Sequence, residues 1–279
     1  MDVHRADGER RSNGCGGRWS IRRHQVQGCP LRSRRRKAVS RALERVSFLG
    51  FDVFGTVVDW RTSVARIAEP FLARYAVQVD PLQFASDWRG CYQPSMETIR
   101  SGQREYVTLD VLNLENLVTV LAAYGADPDR IPAQELDELT RAWERLDPWP
   151  DSVEGLSRLK RRFAIGALSN GHIAGMLNLA RYAGLPWDVI GGAELSRSYK
   201  PQAATYQRTI AAVGRLPQET AMVAAHNDDL LAARENGMRT VFVCRPTEYG
   251  SGQTKDLAPA RDWDIVVSSL TEAADALGC

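Results

Sequence analysis

Val46-Ser47-Phe48-Leu49-Gly50-Phe51-Asp52-Val53-Phe54 is an apolar run with one carboxylate inside it. Hydrophobicity on both faces of an extended segment marks a buried strand of a parallel sheet. The run ends at Gly55-Thr56, so Asp52 falls near the carboxyl end of the strand. In open α/β sheets that is the end where ligands bind. A carboxylate buried in an apolar strand is costly without partners. Asp52 is therefore either a structural cap for the following turn or a group kept there for chemistry.

Residues 60–146 have a different character. They read as helices over 61–76, 81–100, 105–123 and 132–146, with no strand among them. Beyond 147 the pattern alternates. Helix 151–161 precedes strand 163–168, and helix 172–183 precedes a short strand, Asp188-Val189-Ile190. A helix runs from Pro201 to Gly214, opened by proline at its first position. Strand 220–225, helix 227–236, strands 239–243 and 264–267, and helix 270–277 complete the series, with 245–262 as a loop. Such alternation predicts an α/β fold, a parallel sheet covered on both faces. The boundaries are a core of 46–59 plus 147–279 and an inserted helical cap of 60–146.

The composition agrees with a globular chain. Of 279 residues, 44% are apolar and 25% charged, which excludes a fibrous or wholly disordered protein. Apolar runs such as Val241-Phe242-Val243-Cys244 fall far short of the roughly 20 residues a membrane span needs, so no membrane partner is expected. The net charge of +2 conceals an asymmetry, because residues 1–45 hold 13 Lys and Arg against 4 Asp and Glu. That arginine-rich stretch reads as a disordered extension. It lacks the aromatic interleaving of a base-stacking surface, so nucleic acid is not an expected partner. Five scattered cysteines without CxxC spacing argue against a disulfide framework and fit reduced thiols in the cytoplasm.

Three further features fall at the ends of later strands. Ser169-Asn170-Gly171 combines a hydroxyl, an amide and a flexible glycine at a strand-to-helix turn, which suits anion binding and is equally an ordinary turn. Lys200, one of only four lysines, either neutralises Asp52 and holds it ionised or is a solvated surface residue. Asp228-Asp229 opens a helix, where carboxylates also serve as caps. Each signal alone is weak; four in order along one sheet edge are far more specific.

Phe51-Asp52-Val53-Phe54-Gly55-Thr56-Val57-Val58-Asp59 resembles the first motif of the haloacid dehalogenase superfamily. Ser169-Asn170, Lys200-Pro201 and Asp228-Asp229 resemble its second, third and fourth motifs. The resemblance spans about residues 46–277 and implies a Rossmann-like core with a cap and an aspartate nucleophile. The superfamily's phosphatases carry a general-acid aspartate two residues after the nucleophile, where this chain has Phe54, which cannot donate a proton. Their fourth motif carries an acidic metal ligand near the position of Ala225, which has no oxygen to offer Mg²⁺.

An aromatic residue at position 54 is instead similar to the (S)-2-haloacid dehalogenases of type II, a branch that implies no metal and no cofactor. The resemblance makes Asp52 the nucleophile and Lys200 and Asp229 the residues that place the hydrolytic water. It makes Arg89, in Trp88-Arg89, the acceptor of the departing halide. Ser169 binds the substrate carboxylate, Asn170 and Phe54 line the halide side, Thr56 hydrogen-bonds near the nucleophile, and Tyr206 matches a tyrosine of the same spacing. The implied reaction is hydrolytic dehalogenation of short (S)-2-haloalkanoic acids to 2-hydroxy acids with inversion, through a covalent aspartyl ester. The implied partner is a small 2-haloacid, and relatives suggest a homodimer. Alternatives are a small-molecule phosphatase, the opening of a strained cyclic amino acid, or a non-catalytic scaffold with a nucleic-acid-binding tail. Two residues depart from the branch. Asp228 stands where an aromatic residue lines the halide pocket and would repel halide if it pointed inward. His226 stands in the Ala224-Ala225-His226-Asn227 segment, and capping the following helix is its simpler role, with placing water the other.

Overall fold

The computed structural model describes residues 43–279. The basic, disordered-tail reading of residues 1–45 therefore falls almost wholly outside the described residues. No helix among the described residues is long and apolar enough to cross a membrane.

The core is a six-stranded, all-parallel sheet. Its spatial order is β5 (Val189–Gly192), β4 (Ala164–Ser169), β1 (Phe48–Phe51), β6 (Thr220–Ala224), β7 (Arg239–Val243) and β8 (Ile265–Val267). Strand β1 is buried at every residue, as its two-faced hydrophobicity requires. It ends at Phe51, earlier than the apolar run suggested. The Asp52 N–H makes the last ladder bond, to the Val223 carbonyl at 3.0 Å. Val53 and Phe54 then turn, and the Val57 and Val58 N–H groups both donate to the Val53 carbonyl. Hydrophobicity therefore continued past the strand because these turn residues are buried too.

Strand β1 is also where the winding of the sheet reverses. From β1 the chain crosses to β4 and β5 on one side, then returns to β6, β7 and β8 on the other. The carboxyl ends of β1, β4 and β6 meet at this switch point, the crevice where open α/β sheets bind ligands. Asp52, Ser169 and the Ala225–Asp229 turn all leave the sheet there.

The helical cap follows β1. Its helices are α1 (Trp60–Arg74), α2 (Pro81–Gly90), α3 (Tyr92–Arg100), α4 (Leu109–Ala123) and α5 (Ala133–Thr140), the last running into a 3₁₀ turn over Arg141–Glu144. Asp59 and Asp80 cap α1 and α2 by accepting from the Thr62 and Gln83 amides. The single helix expected over 81–100 is two. Pro94 has no N–H for the Gly90 carbonyl, so a continuous helix would leave that acceptor empty. A two-stranded antiparallel ribbon, β2 (Val58–Asp59) with β3 (Asp147–Pro148), was not anticipated; strands of two residues are too short for a period-2 pattern. This ribbon lies at both crossings between core and cap.

The remaining core helices are α6 (Ser152–Leu159), α7 (Ile173–Ala183), the short α8 (Ala193–Ser196), α9 (Ala203–Ala212), α10 (Asn227–Glu235) and α11 (Leu270–Leu277). Pro201 does not open α9: that helix starts two residues later behind Gln202, leaving Pro201 in the turn that delivers Lys200. The 245–262 segment is a loop, as expected, and it is tied to the core. The Arg245 guanidinium forms a fork on Asp151 at 2.7 and 2.9 Å, and its Nε donates to the Thr56 carbonyl at 2.9 Å. Removing one partner of a buried, bidentate pair leaves the other charge uncompensated. Arg245→Met is therefore expected to lower unfolding stability by about 3 kcal/mol, read as a shift of the urea midpoint at constant slope; an unchanged midpoint would contradict this anchoring role.

Candidate active site

Asp52 sits one residue past β1 and is only 6% exposed. Each of its oxygens is met by donors from a different element. Lys200 Nζ reaches Oδ1 at 2.8 Å. Thr56 Oγ1 donates to Oδ2 at 2.8 Å, and His226 Nδ1 approaches the same oxygen at 2.9 Å. Burial alone would push the Asp52 carboxyl up. The Lys200 charge and the His226 hydrogen bond and charge outweigh it and hold the carboxyl well below the usual carboxylate range.

Lys200 is buried and bonds both Asp52 and Asp229. Its backbone is fixed from two sides: its N–H donates to Asn170 Oδ1 at 2.7 Å, and its carbonyl accepts from Arg100 of the cap at 2.9 Å. Desolvation would lower the lysine pKa, but the two carboxylates reverse the direction and keep it charged. Asp229, in the first turn of α10, also accepts from Tyr206 at 2.6 Å. Burial dominates there and raises its carboxyl; Lys200 opposes the rise and Asp52 adds to it. The two carboxylates thus share one lysine and are pushed in opposite directions.

The structure brings the other sequence-predicted residues to the same place, though not all by the same route. Ser169 is fully buried, and its hydroxyl accepts from the Gly171 N–H at 3.1 Å, leaving its own proton to donate. Asn170 has spent its carbonyl on Lys200 and keeps its amide donors. Thr56 also accepts from the Ala225 N–H at 2.9 Å, tying the first motif to the fourth. Tyr206 is fully buried and reaches the site through Asp229. Phe54 packs edge-on against Trp143, with centroids 5.9 Å apart.

Arg89 lies among aromatic rings. Its guanidinium carbon is 3.8 Å from the Tyr92 centroid, 5.7 Å from Trp60 and 5.9 Å from Phe54. Its Nη1 is buried without a hydrogen-bond partner, a donor left open beside the ring that follows Asp52. A cavity of about 420 Å³ opens between cap and core, lined by Phe54, Asn113, Trp143, Gly171, His172 and Met176 among others.

Two departures resolve. Asp228 is exposed on the first turn of α10, so no second carboxylate faces the rings from that position. His226 stands at the cap position of α10, yet its side chain makes no capping bond. Instead its ring bridges two acids, Asp52 through Nδ1 and Glu248 through Nε2 at 3.0 and 3.1 Å. The capping expectation is therefore corrected: the backbone caps while the ring enters the site.

Glu248 was missed altogether. It lies in the 245–262 loop, where no hydrophobic period marks a site. It is 1% exposed and accepts from Trp60 Nε1 at 3.0 Å as well as from His226. Its niche is cut by Gly55, at φ +87°, where a Cβ would meet Glu248 Oε1 at 2.1 Å. Burial opposes ionisation of Glu248, but His226, Trp60 and Arg89 together hold its carboxyl below the ordinary range.

A parallel sheet with its reversal point at β1, a buried carboxylate beyond that strand and a cap closing over it define a hydrolase of the α/β class with an inserted cap. Comparison agrees: the family model of haloacid dehalogenase-like hydrolases matches residues 49–237, and the chain belongs to that family. It is 28% identical over 233 residues to (S)-2-haloacid dehalogenase 4A of Burkholderia cepacia, covering 80% of this chain and 96% of that one. A solved defluorinating L-2-haloacid dehalogenase superposes with a TM-score of 0.82 at 49% identity, covering 84% of this chain and 96% of the other. A second solved L-2-haloacid dehalogenase gives 0.79 at 39% identity, covering 84% and 98%.

The shared lysine makes a stability prediction. Asp52 has its pKa depressed by Lys200, so that part of the stability is present above the ordinary carboxylate range and is lost as pH falls below it. Lys200→Met leaves two buried acids side by side without their cation, and is expected to cost about 3–5 kcal/mol at neutral pH. The gap between wild type and variant should shrink as pH is lowered through the carboxylate range, because the variant's acids then take up protons. Melting temperatures across pH 4–8 check this; a gap that stays constant would contradict it.

Proposed function

We propose that this protein hydrolyses the carbon–halogen bond of short (S)-2-haloalkanoic acids by way of a covalent aspartyl ester. The observation that carries the reading is the pairing of an ionised, lysine-held Asp52 with an unpartnered Arg89 donor across Phe54. Oδ1 of Asp52 has one donor and Oδ2 has two, so Oδ1 keeps the freer lone pair. It attacks C2 in line with the carbon–halogen bond. The new C–O bond forms as the halide leaves with the bonding pair, and C2 inverts. Halide is a weak base and needs no proton, so Phe54 does what an acid could not: it keeps the site dry. Arg89 meets the negative charge where it develops.

The substrate carboxylate is held by the free Ser169 proton and neighbouring backbone amides, which fixes the approach angle, while the Asn170 amide lines the halide side. Water then attacks the ester carbonyl carbon rather than C2, so the inverted centre is untouched. Asp229 receives the water proton, its basicity raised by burial. A phosphate ester would fit this site badly, since its alkoxide leaving group needs the acid that Phe54 replaces. The relatives named dehalogenases support the carbon–halogen class.

(S)-2-Chloropropionate should release chloride and give (R)-lactate with chelator present, while the (R) enantiomer should not. Asp52→Asn should abolish release, and Arg89→Met should lower kcat about 10²-fold, the usual loss for one electrostatic donor. Chloride release that requires added Mg²⁺, or that survives Asp52→Asn, contradicts the reading.

A further inference from the structure

His226 and Glu248 are built into the site with more care than a structural pair needs. Both ring nitrogens face carboxylates, which accept and cannot donate when ionised. The ring therefore carries both N–H groups and is an imidazolium. Glu248 reaches it from a loop anchored by Arg245, in the niche that Gly55 leaves. The imidazolium and the Thr56 hydroxyl converge on one oxygen, Asp52 Oδ2, at 2.9 and 2.8 Å. Two donors at this distance on a single oxygen form the geometry of an oxyanion hole.

We propose that His226, held as a cation by Glu248, forms with Thr56 the oxyanion hole for hydrolysis of the aspartyl ester. This assignment rests on the reaction proposed above and divides its two halves. In the ester, Oδ1 is bonded to C2 and Oδ2 is the carbonyl oxygen. Water oxygen bonds to Cγ, the carbonyl pair moves onto Oδ2, and Asp229 takes one water proton. Collapse reforms the carbonyl and breaks Cγ–Oδ1, and Asp229 returns the proton to the departing 2-hydroxy acid. The second water proton leaves to solvent as Asp52 ionises again. His226 is catalytic because it touches the reacting carboxylate; Glu248 acts through it as a positioning residue.

The electrostatics give the two steps opposite signs. Asp52, Asp229 and Glu248 stand against Lys200, His226 and Arg89, three acids against three cations. The first step drains charge from Asp52, so the imidazolium opposes it. Once the ester forms, Asp52 no longer offsets the imidazolium, which then faces a carbonyl oxygen about to become negative and favours the second step.

The test is rapid-quench chloride release from (S)-2-chloropropionate with mass spectrometry of the Asp52 peptide. Wild type should show no accumulated adduct. His226→Leu should show a burst near one equivalent of chloride per site, an ester on the Asp52 peptide and a steady-state rate lower by about 10². His226→Asn, which keeps a neutral donor and guards against misfolding of the leucine variant, should show the same pattern with a smaller loss. In Glu248→Gln the histidine loses one of the acids that keep it protonated. Its neighbours are then Asp52, backed by Lys200 and Asp229, with Arg89 and Tyr249 beside position 248. The rate of this variant should fall with rising pH along a limb at lower pH than in wild type. Steady-state rates unchanged in both histidine variants overturn the assignment and leave the dehalogenase reading intact. So does a burst lost in proportion to the steady state with no adduct. Wild type that releases no chloride overturns both.

Discussion

The ammonium of Lys200, seated between Asp52 and Asp229, is the constraint on which the rest of the site depends. A nucleophilic carboxylate must be ionised, and it must be dry enough to attack carbon. Those demands conflict, because burial drives a carboxyl toward its neutral form. Lys200 resolves the conflict for Asp52 but not fully for Asp229, whose carboxyl is raised by burial and by the neighbouring Asp52 against the pull of the same lysine. The lysine must itself be held, and it is: its N–H by Asn170, its carbonyl by Arg100. A second motif residue and a cap residue thus hold the lysine that meets Asp52 through one backbone.

The same logic extends outward in pairs. His226 requires Glu248, Glu248 requires the space that Gly55 provides, and the loop that brings Glu248 requires Arg245 on Asp151. The aromatic cluster of Phe54, Trp60, Trp88, Tyr92 and Trp143 supplies the complementary medium. It lowers the local dielectric around Arg89 and leaves that guanidinium with a donor to spare. In such surroundings each electrostatic contact is worth more than in water.

Much of the fold was legible because the signals were long. The alternating series from 151 onward and the two-faced strand at 48–51 follow directly from burial on a parallel sheet. What failed to register were features shorter than one period: the 58–59 and 147–148 ribbon, the helix over 193–196, and the break at Cys91. Within the site, Asp52, Lys200 and Asp229 were legible because charged residues at strand ends stand out. His226 was visible as a departure, but its side-chain direction is a tertiary fact, and capping was the natural local expectation. Glu248 carried no local signal at all, since its meaning comes from a glycine nearly two hundred residues upstream. The spacing of Asp228 from Asp229 suggested an unwelcome charge, which a helical first turn removes by pointing neighbouring residues apart.

The central claim is that a buried, lysine-held carboxylate becomes covalently bonded to the substrate and is freed by attack on its own carbonyl. A single turnover in H₂¹⁸O, with enzyme in excess over (S)-2-chloropropionate, measures this most directly. The account predicts one ¹⁸O in the peptide bearing Asp52 and an unlabelled hydroxyl oxygen in the lactate. Label in the lactate hydroxyl after that first turnover, with Asp52 unlabelled, would mean that water attacked C2 itself and would contradict it.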